Sequence, residues 1–284
     1  MAEQGTRQDA SDCAICHFAS SLGERDVHVW VVPLTGDDAQ DPRLRDVLSA
    51  SELTTVARFV SPDDSRDYAA SHAAVRRIVA AYTARDPVSI RFECSPTGKP
   101  RVAETDVEYS LAHARGLAVV GIGRRKPLGV DVERVRRLRG ADALKRACFT
   151  PRERAFVEAV GDDEGLLRLW TRKEALVKAT GEGVLRTRDP VDVLTASPLP
   201  DWRIVDLRPD AGYVGAAVVS DDVARVVSIR GRVGRSHGPG RHGPVLAVHP
   251  REAAAPREHR LEDVAIARQH SARASVSEDA PAIG

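Results

Sequence analysis

The chain has 284 residues, 42% of them hydrophobic, enough to bury one large core or two ordinary ones. Its 42 Lys+Arg against 41 Asp+Glu leave a formal net charge of +1, which excludes an overall pull toward nucleic acid or anionic membranes. No run approaches the roughly 18 apolar residues of a membrane span, and no basic start followed by an apolar core opens the chain, so a cytoplasmic location is expected.

Residues 1–25 show no sustained periodicity and read as a flexible leader. Within it, Cys13-Ala-Ile-Cys16-His17 matches a c-type haem attachment pattern. Met1 is the only methionine, however, and no second cysteine pair follows at zinc spacing, so neither haem nor structural zinc is expected. Val27–Val32 is a strand closed by Pro33, and residues 44–59 carry a helical pattern. Ser61-Pro-Asp-Asp64 starts a helix whose apolar face runs through Tyr68, Val75, Ile78, Val79 and Tyr82 to Asp86-Pro87. Arg58 and Arg66 flank that start, either as solvated arginines or as an anion clamp beside unpaired helix N–H groups. Ser95–Pro100 is a turn; Val107–His113 and Leu117–Ile122 form a hairpin, which leaves Lys99 and His113 near element ends.

Leu128, Val130 and Val132 alternate with Gly129, Asp131 and Glu133, so a strand puts its apolar set on one face and both carboxylates on the other. Two close carboxylates repel, and a divalent ion is the natural neutraliser; the alternative is a solvated outer face. Thr150-Pro-Arg-Glu153 is a capping box opening a helix through Val160, which gives Glu153 a structural task. An amphipathic helix follows, with Leu166, Leu169, Trp170, Leu176 and Val177 at helical spacing and a stop at Gly181 and Gly183. Lys173 falls inside its apolar stripe and needs a partner, whereas Glu174 and Lys178, four apart, share an edge. Only five of the basic residues are lysines, and two of them lie on this helix. Segments 202–207, 213–219 and 223–229 look like strands that complete a sheet, and 231–284, rich in Gly, Pro, Arg and His, reads as a disordered tail with a short helix near Leu261–Arg268.

Gly129-Val-Asp-Val-Glu133 and Trp170-Thr-Arg-Lys-Glu-Ala-Leu-Val-Lys-Ala-Thr-Gly-Glu-Gly183 stand about forty residues apart. In that order they resemble the G-(I/V)-D-(I/V)-E strand and the W-x-x-K-E-(A/S)-x-x-K-x-x-G-x-G helix of the Sfp-type 4′-phosphopantetheinyl transferases. The Gly98–Pro100 turn, the arginine-bearing helix and the histidine-ended strand fall in the same order, so the resemblance covers roughly 27–230. It implies an α+β fold of two similar halves related by pseudo-twofold symmetry, here 26–125 and 126–230. It also implies an Mg²⁺-dependent enzyme that moves the 4′-phosphopantetheine arm of coenzyme A to a serine of an apo acyl or peptidyl carrier protein. Adenosine 3′,5′-bisphosphate is the other product, and the expected enzyme is a monomer without nucleic-acid or membrane partners.

By the same resemblance Asp131, Glu133 and Glu174 hold Mg²⁺, Lys178 contacts the phosphates, and Glu174 is the candidate base, directly or through water. Arg58, Arg66, Lys99 and His113 fall where the family reads the nucleotide and its 3′-phosphate. The family's Ser-His-Ser is Ala112-His113-Ala114 here, so contacts of the first serine do not carry over. A non-catalytic coenzyme A or carrier-protein binding module is the rival reading, and the complete acidic and lysine set argues against it. A nucleic-acid binder acting through the tail is disfavoured by the mixed charges there.

Overall fold

A computed structural model describes residues 14–96, 98–181, 191–233 and 246–249. Its elements in chain order are α1 (Ala14–Ser21), β1 (Asp26–Pro33), α2 (Ala50–Arg58), α3 (Pro62–Thr83), β2 (Phe92–Cys94), β3 (Pro100–Val102), β4 (Val107–Ala114) and β5 (Leu117–Arg124). There follow β6 (Leu128–Arg134), α4 (Ala141–Cys148), α5 (Pro151–Val160), α6 (Asp163–Thr180), β7 (Trp202–Leu207), β8 (Tyr213–Ser220), β9 (Arg225–Val233) and β10 (Leu246–His249). They divide into two compact units: the first takes the described residues up to Pro127 and from Val223 onward, the second those from Leu128 to Asp222.

In the first unit the sheet order is β10-β9-β1-β5-β4. Helix α3 packs into the same core as this sheet: Ala69, Ala70, Ala73 and Ala74 are small enough to let the helix come close, and Ile78 and Val79 are buried in one cluster with Trp30, Val120 and Ile122. Ser61 caps α3 by accepting from the Asp64 amide, Pro62 sits at its first position, and Ala84 ends it in the left-handed region at φ 52°. Buried Arg76 fastens the helix to its neighbours, giving Nε to Glu52 of α2 at 2.7 Å and Nη1 to the carbonyls of Pro87 and Ile90 at 3.1 and 2.9 Å. Deeper in the core the Tyr82 hydroxyl accepts from Trp30 Nε1 at 2.9 Å and lies 2.6 Å from His28 Nδ1. Donation from Tyr82 to a neutral imidazole satisfies both groups. Burial agrees with that state, pushing His28 down to about 4 and Tyr82 upward.

The second unit has a three-stranded antiparallel sheet in the order β6-β8-β7, with α6 against it. With the separate β2–β3 ribbon of the first unit set aside, both units run strand, helices, strand, strand, and in each the last of these three strands lies between the other two: β1-β5-β4 in one, β6-β8-β7 in the other. The α+β fold of two similar halves is therefore visible as a repeated topology.

Several expected boundaries shift. The segment 223–229 does not complete the second sheet, because β9 runs parallel to β1 and buries Ile229 in the first core. Arg225 fixes that pairing through two hydrogen bonds to Asp26, at 3.0 and 2.6 Å. The expected half 126–230 thus closes at Asp222, and the expected disordered tail contributes the end of β9 and all of β10. The expected leader contains α1, whose Ile15 and Ala19 are in the first core. The helical pattern over 44–59 is split at Ser49, whose capping box with Glu52 starts α2 afresh after a 3₁₀ turn. Cys13, Gly183 and the helix expected near Leu261–Arg268 lie outside the described residues.

Candidate active site

In the second unit, α6 and β6 touch at backbone distance. A Cβ on Gly129 would stand 2.0 Å from the Ala175 carbonyl oxygen and 2.5 Å from the Ala179 nitrogen, so only glycine admits the helix here. Two residues further along the strand, Asp131 lies on the same face, and the helix brings Lys178 to it: Nζ donates to Oδ1 at 2.7 Å. The carboxylate face of β6, read from the sequence as opposite an apolar face, is thus covered by α6, and Asp131 is only 8% exposed. Gly215 of β8 makes the second close approach, since a Cβ there would lie 2.7 Å from the Asp131 carbonyl oxygen.

Glu133 sits at the half-buried end of β6 with Arg136 Nη1 at 3.3 Å, and Glu174 lies one helical turn before Lys178. The three carboxylates feel one another. Burial raises the pKa of Asp131 despite the attraction of Lys178. Glu133 is raised by burial and by Asp131, against the pull of Arg136, and Glu174 is raised by burial, Asp131 and Glu133, against the pull of Lys178. Asp131, Glu133 and Glu174 therefore share one electrostatic environment, but Lys178 and Arg136, not a common point, receive two of them. Among the described residues no group of three His, Cys, Asp or Glu stands close enough to hold a metal ion.

Lys173, the charge inside the apolar stripe, has its partner in the capping-box glutamate. Its Nζ lies 2.9 Å from Glu153 Oε2 and donates to the Val191 carbonyl at 2.7 Å. Glu153, fully buried, also accepts from the amides of Thr150 and Val193. Its structural task is larger than a helix cap.

The nucleotide candidates belong to the first unit. Arg58 is exposed in the last turn of α2, and the Ser65 hydroxyl donates to the Val56 carbonyl at 3.1 Å, tying that helix end to the start of α3. Arg66 is exposed on α3 and pairs with Asp63, which also receives Arg115 from the β4–β5 turn. The Gly116 amide donates to Asp67 at 3.0 Å, so the turn after the exposed His113 is fastened to the first turns of α3. Arg58, Arg66 and His113 thus sit on elements tied into one corner. Lys99, in the same unit, has its pKa lowered by burial, against the pull of Glu108 on β4. Arg115 was missed from the sequence because an arginine in a turn carries no periodic signal; its place directly after the histidine-ended strand was the available clue.

The 4′-phosphopantetheinyl transferase superfamily pattern matches residues 127–210, which include β6, α6 and β7. Over that stretch the chain is similar to the 4′-phosphopantetheinyl transferase superfamily. It is 29% identical over 208 residues to the 4′-phosphopantetheinyl transferase HetI of Nostoc sp., covering 69% of this chain and 88% of that protein. It is 25% identical over 158 residues to a 4′-phosphopantetheinyl transferase of Bacillus subtilis, covering 54% of this chain and 69% of the relative. To 4′-phosphopantetheinyl transferase AcpT of Escherichia coli O157:H7 it is 35% identical over 88 residues, 30% of this chain and 45% of that one. This is therefore an enzyme of the 4′-phosphopantetheinyl transferase class.

Proposed function

We propose that this transferase moves the 4′-phosphopantetheine arm of coenzyme A to a serine hydroxyl of an apo acyl or peptidyl carrier protein, with Mg²⁺ and release of adenosine 3′,5′-bisphosphate. The observation that carries the reading is the coupled set Asp131, Glu133 and Glu174 beside Lys178, on the two elements that Gly129 brings into contact. Its all-carboxylate oxygen donors suit a hard cation that keeps water and shares substrate phosphate oxygens, and Asp131 already accepts a cation, the Lys178 ammonium. In this reading the three carboxylates hold Mg²⁺, which when bound neutralises charge on the coenzyme's diphosphate.

Phosphoryl transfer depends mainly on positioning and charge, and the side chains divide that work. Lys178 gives its ammonium to a phosphate oxygen. Glu174, whose pKa burial and Asp131 raise toward the working range, is suited to receive the proton of the attacking serine hydroxyl, directly or through water. As that proton leaves, a serine oxygen–phosphorus bond forms and the diphosphate bridge breaks, sending adenosine 3′,5′-bisphosphate away. Arg58, Arg66 and His113, with Lys99 further along the same unit, are proposed to read the nucleotide and its 3′-phosphate.

The test is mass spectrometry of apo fatty-acid, polyketide and peptide carrier proteins incubated with the protein, coenzyme A and Mg²⁺. A gain of one phosphopantetheine arm, abolished by EDTA, is expected. Coenzyme A binding without any mass gain would point instead to a binding module.

A further inference from the structure

Asp131 of β6 and Asp206 of β7 pair with the same residue of the middle strand, Ala216 of β8. Directly opposed residues of antiparallel strands share a face, so the two carboxylates stand in one row, two strand spacings or about 9.5 Å apart, with a buried alanine between them. Helix α6 packs against this sheet and sends cations to both ends of the row. On one side Lys178 reaches Asp131. On the other, Arg168 and Arg172, four apart, converge on Asp206: Arg168 Nη2 at 3.0 Å, and Arg172 Nε and Nη2 at 2.7 and 2.9 Å on the two oxygens.

The Asp206 end is built to stay fixed. Arg172 is 5% exposed, and its remaining Nη1 donates to the carbonyls of Val193 and Leu194 at 2.7 and 3.2 Å. A planar guanidinium held on two sides leaves the helix little freedom to roll. Burial alone would raise the pKa of Asp206, yet the two guanidiniums hold it below the ordinary carboxylate value. The superfamily helix motif leaves position 172 unspecified, and residue 206 lies outside both motifs.

We propose that Arg172 and Asp206 are positioning residues for the metal-binding carboxylates: by clamping one flank of α6 to β7, they set the roll of the helix that presents Glu174, two residues on, to Asp131 and Glu133. The inference rests on the assignment of Asp131, Glu133 and Glu174 to the divalent cation.

Asp206→Asn and Arg172→Lys are compared with wild type by Mn²⁺ electron paramagnetic resonance, with and without coenzyme A, alongside thermal melting and the Mg²⁺ dependence of arm transfer. Loss of an outer-sphere orienting group typically weakens metal affinity by about 10–100-fold, so Asp206→Asn is expected to weaken Mn²⁺ binding about tenfold. The Mg²⁺ concentration for half-maximal transfer should rise by a similar factor. Arg172→Lys, which keeps the charge but loses the fork, should weaken binding about threefold, and it decides the matter if Asp206→Asn fails to fold. A variant that melts lower but binds Mn²⁺ as wild type does overturns the proposal and leaves a purely structural clamp. Wild type that binds Mn²⁺ without transferring the arm defeats the transfer reading alone; wild type that binds no Mn²⁺ defeats the metal assignment and this inference together.

Discussion

The Lys178 ammonium, 2.7 Å from Asp131, puts a positive charge where a divalent cation would approach. Lys178→Met should therefore slow arm transfer and yet tighten Mn²⁺ binding without coenzyme A, by about fivefold for a part-buried pair worth roughly 1 kcal/mol. Spectroscopic titration checks the second effect separately from the first. Asp131→Ala and Glu174→Ala should abolish transfer with the circular dichroism spectrum retained; turnover at the wild-type rate by either would contradict the site assignment. His28 makes a different kind of prediction. Its folded value of about 4 lies below its ordinary 6.5, so the native state favours the neutral ring. The stability it contributes is complete above pH 6.5 and is lost as the pH falls toward 4, about 3 kcal/mol in all. Urea denaturation at several pH values should show that loss, and His28→Gln should flatten the curve over this window.

Between elements, contact at Gly129 decides whether the site exists. Gly129→Ala places a methyl 2.0 Å from a helix carbonyl, beyond what side-chain adjustment absorbs, so α6 must lift from β6. Overpacking of this kind costs about 1–3 kcal/mol or more. Thermal melting should show that cost, and transfer should fall at least as far as in Lys178→Met, because both Glu174 and Lys178 ride on the displaced helix. What was readable in the sequence follows the range of each cause. Capping at Ser61 and Thr150, the alternation of β6 and the periodicity of α6 are local, and each placed its element. The covering of the Asp131 face, the Glu153–Lys173 pair and the Asp206 clamp join residues 20 to 47 apart, and no local pattern announces them. The break at Ser49 was local but hidden under a continuous apolar pattern, and α4 went unread for want of a capping side chain at Gly140.

Across the whole molecule, the least legible feature is β9, whose partner β1 lies about 200 residues earlier. A strand in sequence looks the same whichever sheet receives it. A chain ending at Asp222 loses this strand and exposes an edge of β1, so it should be far less stable than one ending at His249, which keeps every described element. Comparing the melting temperatures of the two truncations tests this; equal stability would mean that β9 contributes little to the first unit.

The same return of the chain makes the second unit an insertion within the first, and that sets a schedule on the ribosome. Synthesis delivers β1 early but its partner β9 only after all of Leu128–Asp222 has been made, about 10–40 s later at ordinary elongation rates. The inserted unit, with its own sheet and core, can complete its contacts as it emerges. The enclosing unit must keep one strand edge open through that interval, which makes the nascent first half the part of this protein most in need of a chaperone.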